Sequence, residues 1–385
     1  MKHSCRLFTL TFFGLAVIAG VSSCKHIRKH TGLELDFVLA ITPAHKSELS
    51  AKHEKTVELL RKRLEDFGFE EDQVSFKETA AGLKLILSDV DMKAAESASR
   101  ASSSHPKTEE DYCSTMQFLL SSNGNFHIWE TFESSLVISR LVGLNHSLWI
   151  RDSIRDLMKD AKAASHSKDL TLTAQMQQQH IRTTEDTQRK NPLFSILQPS
   201  IGRDGSGNLS AIPGPIVGYA LAKDTAKVNA YLHSHEASLE LPYQYVFKWG
   251  LHAETATAFA LYGLNYTKRE NGGPAMVCNS FRDVSTVSRK QSSEGLEIDM
   301  VMTPSDAFIW QHITRSVTGQ CIAMEMGDHV FSAPRVNGEI PNGRSSITGS
   351  FDGTEADALV AILKNPISKE KVSILSHSIK VNPVK

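Results

Sequence analysis

Two clusters of side chains are spaced for chemistry. His233-Ser234-His235-Glu236 sets two imidazoles on one side of an extended segment beside a carboxylate, a spacing that can supply metal ligands. A polar helix end running into a loop accounts for the same residues, so neither a metal nor a cofactor is expected. Gly202-Arg203-Asp204-Gly205-Ser206-Gly207 is glycine-rich but lacks the Gly-Lys-Ser/Thr and the preceding strand of a phosphate cradle. There is no Gly-x-Ser-x-Gly elbow and no His-Glu-x-x-His helix. A Ser/His/Asp triad would meet only in space and leaves no spacing to read. No catalytic residue is nominated, and the chain is expected not to be an enzyme.

The thiols are the remaining reactive groups. Lys2 and Arg6 precede an uncharged apolar run, Leu7–Val21, which falls short of the roughly 20 residues a permanent membrane helix needs. It suits a cleaved signal ending in small residues, and Val21-Ser22-Ser23-Cys24 resembles the lipobox of bacterial lipoproteins. Residues 1–23 are therefore expected to be a signal peptide and residues 24–31 a tether, with palmitate-type acylation of Cys24. Several acyl chains would hold firmly where one is marginal. The mature protein is expected on the periplasmic face of the envelope, anchored to the inner or outer membrane. Cys113, Cys278 and Cys321 form no Cys-x-x-Cys pair, which argues against zinc. Three buried free thiols is the preferred reading, and a Cys278–Cys321 bond is the alternative.

Lys and Arg number 42 against 43 Asp and Glu, a net charge of −1. A nucleic-acid partner normally leaves a basic footprint, so none is expected. With 41% hydrophobic residues in 385, a sizeable core is available, in one to three domains.

The elements that must position these groups read as follows. Leu33–Thr42 alternates as a strand, and Ser47–Phe67 is a helix with Val57, Leu60, Leu64 and Phe67 on one face, stopped by Gly68. Gln73–Glu78 and Leu83–Leu87 form a hairpin across Gly82. A helix capped by Asp89 or Asp91 is broken at Ser102–Pro106 and resumes through Leu120, and Asn125–Thr131 returns as a strand. The order βαββαβ predicts a ferredoxin-like base in an α+β protein. Ser134–Ala164 is helical, Thr171–Lys190 is polar, and Asn191–Pro215 should be irregular. Asp224 caps a helix through His233, and Tyr245–Trp249 and Thr257–Leu264 are strands. Leu296–Met302 is a strand, followed by a helix opened by Thr303 or Ser305. Cys321–Met326 and His329–Ser332 form a hairpin at Gly327-Asp328, and Ile340–Gly343 is a turn. Ser345–Phe351 is a strand, Thr354 caps a helix, and Lys371–Val381 is extended. The strand openings Gly32–Val38 and Gly295–Val301 echo one another, by duplication or by convergence. Trp129, Trp149, Trp249 and Trp310 are read as packing residues rather than binding platforms.

In the last third, Ile322–Pro334, Gly338–Phe351 and Thr354–Leu359 together resemble the head subdomain of the translocase subunit SecD and of fused SecDF. Thr56–Gly68 is similar to a helix in the base of that family's first periplasmic domain. Trp129–Phe132, Asn191–Phe194, Asp224–Leu232 and Phe247–Gly250 are similar to longer fused SecDF chains. The resemblance implies a base at 32–132, a helical and irregular connecting region at 133–270, and an α/β head with its extended tail at 271–385. It also implies partners, either unfolded exported polypeptide or Sec translocase components, and a role in protein transport. Gly32–Val38 departs from the family's GLDLRGG: aspartate is replaced by Glu34, and the arginine and both glycines are missing. Because the sequence stops at Lys385, about where the family enters a membrane helix, a stand-alone lipoprotein with no proton route is expected. The alternative is a SecD-like scaffold repurposed as an envelope sensor or protein-interaction module.

Overall fold

A computed structural model describes residues 33–43, 54–80, 82–90, 109–166, 190–253, 257–267, 273–278, 280–288, 296–348, 353–367 and 370–381. The signal, Cys24, Asp91, Ser102–Pro106 and Thr171–Arg189 lie outside them. The chain opens with β1 (Leu33–Pro43), α1 (Glu54–Phe67), β2 (Val74–Thr79), β3 (Gly82–Leu87), α2 (Glu109–Ser121), β4 (Phe126–Thr131) and α3 (Ser134–His166). There follow β5 (Gln198–Pro199), β6 (Ile201–Arg203), β7 (Leu209–Ala211), β8 (Ile216–Leu221), α4 (Ala222–Leu232), α5 (His235–Glu240), β9 (Tyr245–Ala253) and β10 (Ala258–Asn265). The last stretch holds β11 (Met276–Cys278), β12 (Phe281–Ser288), β13 (Leu296–Met302), α6 (Pro304–Ser316), β14 (Ile322–Met326), β15 (His329–Ser332), β16 (Arg344–Thr348), α7 (Gly353–Lys364) and β17 (Glu370–Val381). The fold is mixed α+β, as the sequence predicts.

The base forms where the alternation says it should. Leu35, Phe37 and Leu39 of β1 are buried on one face, against Leu60 and Leu64 of α1. Each such side chain contributes roughly 1.5–3 kcal/mol when fully buried. Gly68, at φ +115°, ends α1, and the Gly68 and Phe69 amides both return to the Leu64 carbonyl. The antiparallel sheet has the order β17-β1-β3-β2, with α7 packed beside α1 and α2. The closing strand is therefore not Asn125–Thr131. Alternation settles which side chains turn inward, and it is silent about which neighbour a strand takes. The closing helix and strand are α7 and β17, so the four-stranded base draws on residues 33–121 and 353–381.

β4 belongs to an eight-stranded sheet of order β11-β4-β14-β15-β9-β10-β8-β5. β10 also pairs back onto β4 through Leu264–Thr131 and Asn265–Glu130, so β4, β14, β15, β9 and β10 close into a ring. Trp129, Tyr262, Leu264, Ala323 and Val330 pack together in one cluster of that sheet. On its other side α3 inserts Val137, Leu141, Leu144 and Leu148 against Leu193, Leu197, Val217 and Leu261. Gly263 allows this approach, because a β carbon there would meet Val137 at 3.0 Å and Val217 at 3.1 Å. The connecting region, 133–270, supplies β8 to the sheet beside the expected strands β9 and β10, and 191–215 holds short strands. A separate sheet, β12-β13-β16, completes the fold.

Two capping assignments sharpen. Thr303 is the N-cap of α6, accepting the Asp306 amide at 3.3 Å, whereas α4 starts after Leu221 and Asp224 lies in its first turn. β1 and β13, the two echoing strands, are each paired on both sides, one in each of two sheets. Among the described residues no helix is long and apolar enough to cross a membrane.

Candidate functional site

A groove of about 1030 Å³ opens at one end of the base, between α1 and the face of its sheet. β1 continues its inward alternation from Leu39 to Ile41, and the hairpin adds Phe76 and Leu83. Val57, one turn before the buried Leu60, closes the floor from the helix side. The floor is apolar and largely half-buried. The rim is charged: Glu54 and Glu58 come from α1, Glu78 from β2, and all three are exposed. Arg61 also lines the groove, but its guanidinium lies 5.2 Å over the Phe76 ring and donates to the Val74 carbonyl at 3.3 Å. β2 is an edge strand in the order of this sheet, so its outer backbone groups face away from β3.

A second cluster sits inside the ring of strands. Glu325 of β14 is only 1% exposed. His127 Nδ1 lies 2.6 Å from its Oε2, Trp129 Nε1 donates to the same oxygen at 3.1 Å, and the Asp328 amide donates to Oε1 at 2.9 Å. Lys248 of β9 stands 3.9 Å from Oε1 and 2.6 Å from Asp328 Oδ1. Burial pushes the Glu325 carboxyl up, but His127, Lys248 and Trp129 together outweigh it and hold it below the usual glutamate range. The Lys248 hydrogen bond holds Asp328 down as well. Both Glu325 oxygens are engaged, which suits an anchor for the β14–β15 hairpin rather than a base awaiting a substrate.

A third group ties the base to what is inserted in it. Arg63 is fully buried, and it donates to the carbonyls of Asn365 at 2.8 Å, Leu119 at 3.0 Å and Ser122 at 2.6 Å. Those carbonyls lie at the C-terminal ends of α2 and α7, where a cation is favoured by orphan acceptors and the helix dipole. Burial presses the guanidinium down to about 9, which still leaves it charged at neutral pH. Arg63 thus fixes the point where the chain leaves the base.

The side chains of His233–Glu236 do not converge. His233 is the C-cap of α4 with Nδ1 on the Asn229 carbonyl, Ser234 caps α5, and Glu236 pairs with Arg151 at 3.1 Å. Among the described residues no group of three His, Cys, Asp or Glu could hold a metal ion. Gly202–Gly207 is the β6–β7 turn, where Asp204 Oδ1 accepts the Ser206 and Asn208 amides. Cys113, Cys278 and Cys321 are buried and free, with no Cys278–Cys321 bond. Trp129 and Trp310 are buried, the latter donating to Ser345 Oγ at 2.8 Å. Sequence reasoning missed Arg63, Glu325 and the groove. The available signal was a charged residue on the inward side of an otherwise apolar helix or strand.

Known proteins point in one direction. Residues 272–366 match the family model SecDF, P1 head subdomain, a span that takes in β11 through α7. The chain is 28% identical over 193 residues to the protein translocase subunit SecD of Rhodothermus marinus, covering 49% of this chain and 28% of that one. It is 23% identical over 195 residues to SecD of Calditerrivibrio nitroreducens, covering 48% and 37%. It therefore spans between 28% and 37% of the length of these curated relatives. Against a crystal structure of SecDF in its super-membrane-facing form, 90% of this chain aligns with 30% of that one at 11% identity and a TM-score of 0.38. A second SecDF structure, of a membrane component that enhances protein export, gives 11% identity and a TM-score of 0.36, over 89% of this chain and 98% of that one. The sequence matches identify this chain as one similar to the SecD translocase subunits, with residues 272–366 matching the SecDF P1 head subdomain.

Proposed function

We propose that the chain is a non-catalytic, SecD-like module that takes part in protein translocation by holding exported polypeptide in extended form on the periplasmic face of the envelope. The observation that carries this is the base groove, an apolar floor lying beside the β2 edge. Extended peptides bind by adding a strand to such an edge while alternate side chains fill neighbouring pockets. On this reading Cys24, outside the described residues, bears the lipid that keeps the groove at the membrane. The full-length chain in detergent should bind unfolded exported proteins with a Kd on the order of micromolar, read by fluorescence anisotropy, and slow their aggregation without nucleotide. Absence of binding at high micromolar protein, with recovery of one folded partner from envelope extract, would replace this reading by the second.

That second reading is a SecD-like scaffold docking a folded partner, and α3 favours it. Ile150, Ile154, Leu157 and Met158 of α3 are 42–68% exposed and share a face distinct from the buried Leu141, Leu144 and Leu148. Under either reading, Cys24→Ala should leave an unprocessed precursor that no longer incorporates labelled palmitate. A mutant of mature mass that still partitions into detergent would rule the anchor out.

A further inference from the structure

Resting on the polypeptide-binding reading of the same groove, we infer that its acidic rim selects one class of segment: extended apolar stretches carrying lysine or arginine. Three carboxylates, Glu54, Glu58 and Glu78, line the opening against a single guanidinium, that of Arg61. Arg61 is turned inward, its guanidinium over the Phe76 ring and one donor on the Val74 carbonyl. Glu58 meets Lys62 at 2.8 Å, but both side chains are more than half exposed. A solvent-exposed pair of that kind contributes little and yields readily to a better-placed cation. Glu54 stands in the first turn of α1.

The geometry suits a strand. Glu54 and Glu58 are one helical turn apart on one wall, and Glu78 stands on β2 at the other. The apolar floor of Ile41, Val57, Phe76 and Leu83 lies between them. An extended segment laid through the groove beside β2 would set every second side chain on that floor, with flanking residues level with the rim. Leucine, valine or phenylalanine suits the inward positions. A long-stemmed cation suits the others, because lysine and arginine lay their methylenes on apolar surface and keep the charge at its edge. Acidic segments of equal hydrophobicity would face repulsion from three carboxylates.

The test uses three labelled peptides with the same alternating Leu/Val/Phe positions, flanked by Lys, by Ser or by Glu. Each is titrated against the full-length chain in detergent at low and at physiological salt. The Lys peptide should bind about tenfold tighter than the Ser peptide and the Glu peptide weakest, with the spread shrinking as salt rises. The E54Q/E58Q/E78Q variant should bind all three with nearly the affinity of the Ser peptide for the parent chain. Circular dichroism and the urea midpoint would establish that it is folded. Equal binding of the three peptides by the parent chain overturns the selection and leaves the polypeptide reading standing. A Lys preference that survives in the triple variant places the acidic determinant elsewhere and overturns the assignment to this rim. Failure of every peptide to bind removes the polypeptide reading and the selection with it.

Discussion

Glu325 shows what a single buried charge does here. Its oxygens take a ring nitrogen of His127, the indole of Trp129 and the Asp328 amide, drawing β4 and the β14–β15 turn into one network. Its folded-state pKa is held below the ordinary glutamate value near 4.5. The group therefore stabilises fully above that value and loses its contribution as pH falls through the folded value. The urea midpoint of the parent chain should decline across that acid interval, and Glu325→Gln should flatten this part of the decline. At pH 7 the variant should lose about 2 kcal/mol, the scale of hydrogen bonds to a charged group. An unaltered acid limb would show that other carboxylates govern it. Little of this was legible in advance. Ile322-Ala323-Met324-Glu325-Met326 reads as a strand, but two of the partners of Glu325, His127 and Trp129, lie about 200 residues away in β4.

Among elements, local signals were read well and pairings poorly. The turns at Gly82 and at Gly327-Asp328 were recognised because each needs positive φ, and the structure has +137°, +60° and +67° there. The turn ending at Gly343 is a stronger case, with φ at +62° and a virtual β carbon 2.5 Å from the Ala307 β carbon. Here a turn doubles as the contact between β16 and α6. Gly343→Val should therefore cost about 1–3 kcal/mol from the backbone alone, with the clash against α6 added to it. A urea midpoint equal to the parent's would contradict this. By contrast β8, β11 and β12 escaped notice. Gly218 interrupts the apolar run of β8, where a β carbon would meet the Gln198 carbonyl at 2.7 Å. β11 is only three residues long. The groove was unreadable for another reason. Its floor combines Ile41, Val57, Phe76 and Leu83 from four elements, and no spacing along the chain records that meeting.

The whole molecule is organised by an interruption. The base is begun by β1, α1, β2, β3 and α2 and finished by α7 and β17, and the ring of strands is strung between. Arg63 stands at the junction, with Ser122 on the way out and Asn365 on the way back. A chain terminated before Glu370 should lose the β17 neighbour of β1, which pairs along its whole length, and with it the cooperative fold of the base. Hydrogen exchange should find the β1 amides of that truncation unprotected while those of β14 stay protected. Protection of β1 without β17 would mean that three strands suffice. The pairing of the first strand with the last also sets a schedule. Asp36 and Lys380 hydrogen-bond across 344 residues of sequence, the kind of contact whose loop-closure entropy slows folding. A chain made from its N-terminus presents β1 long before β17, so the base waits, half built and apolar, until β17 arrives. During that wait the inner face of β1 would depend on whatever chaperone or membrane surface lies nearby.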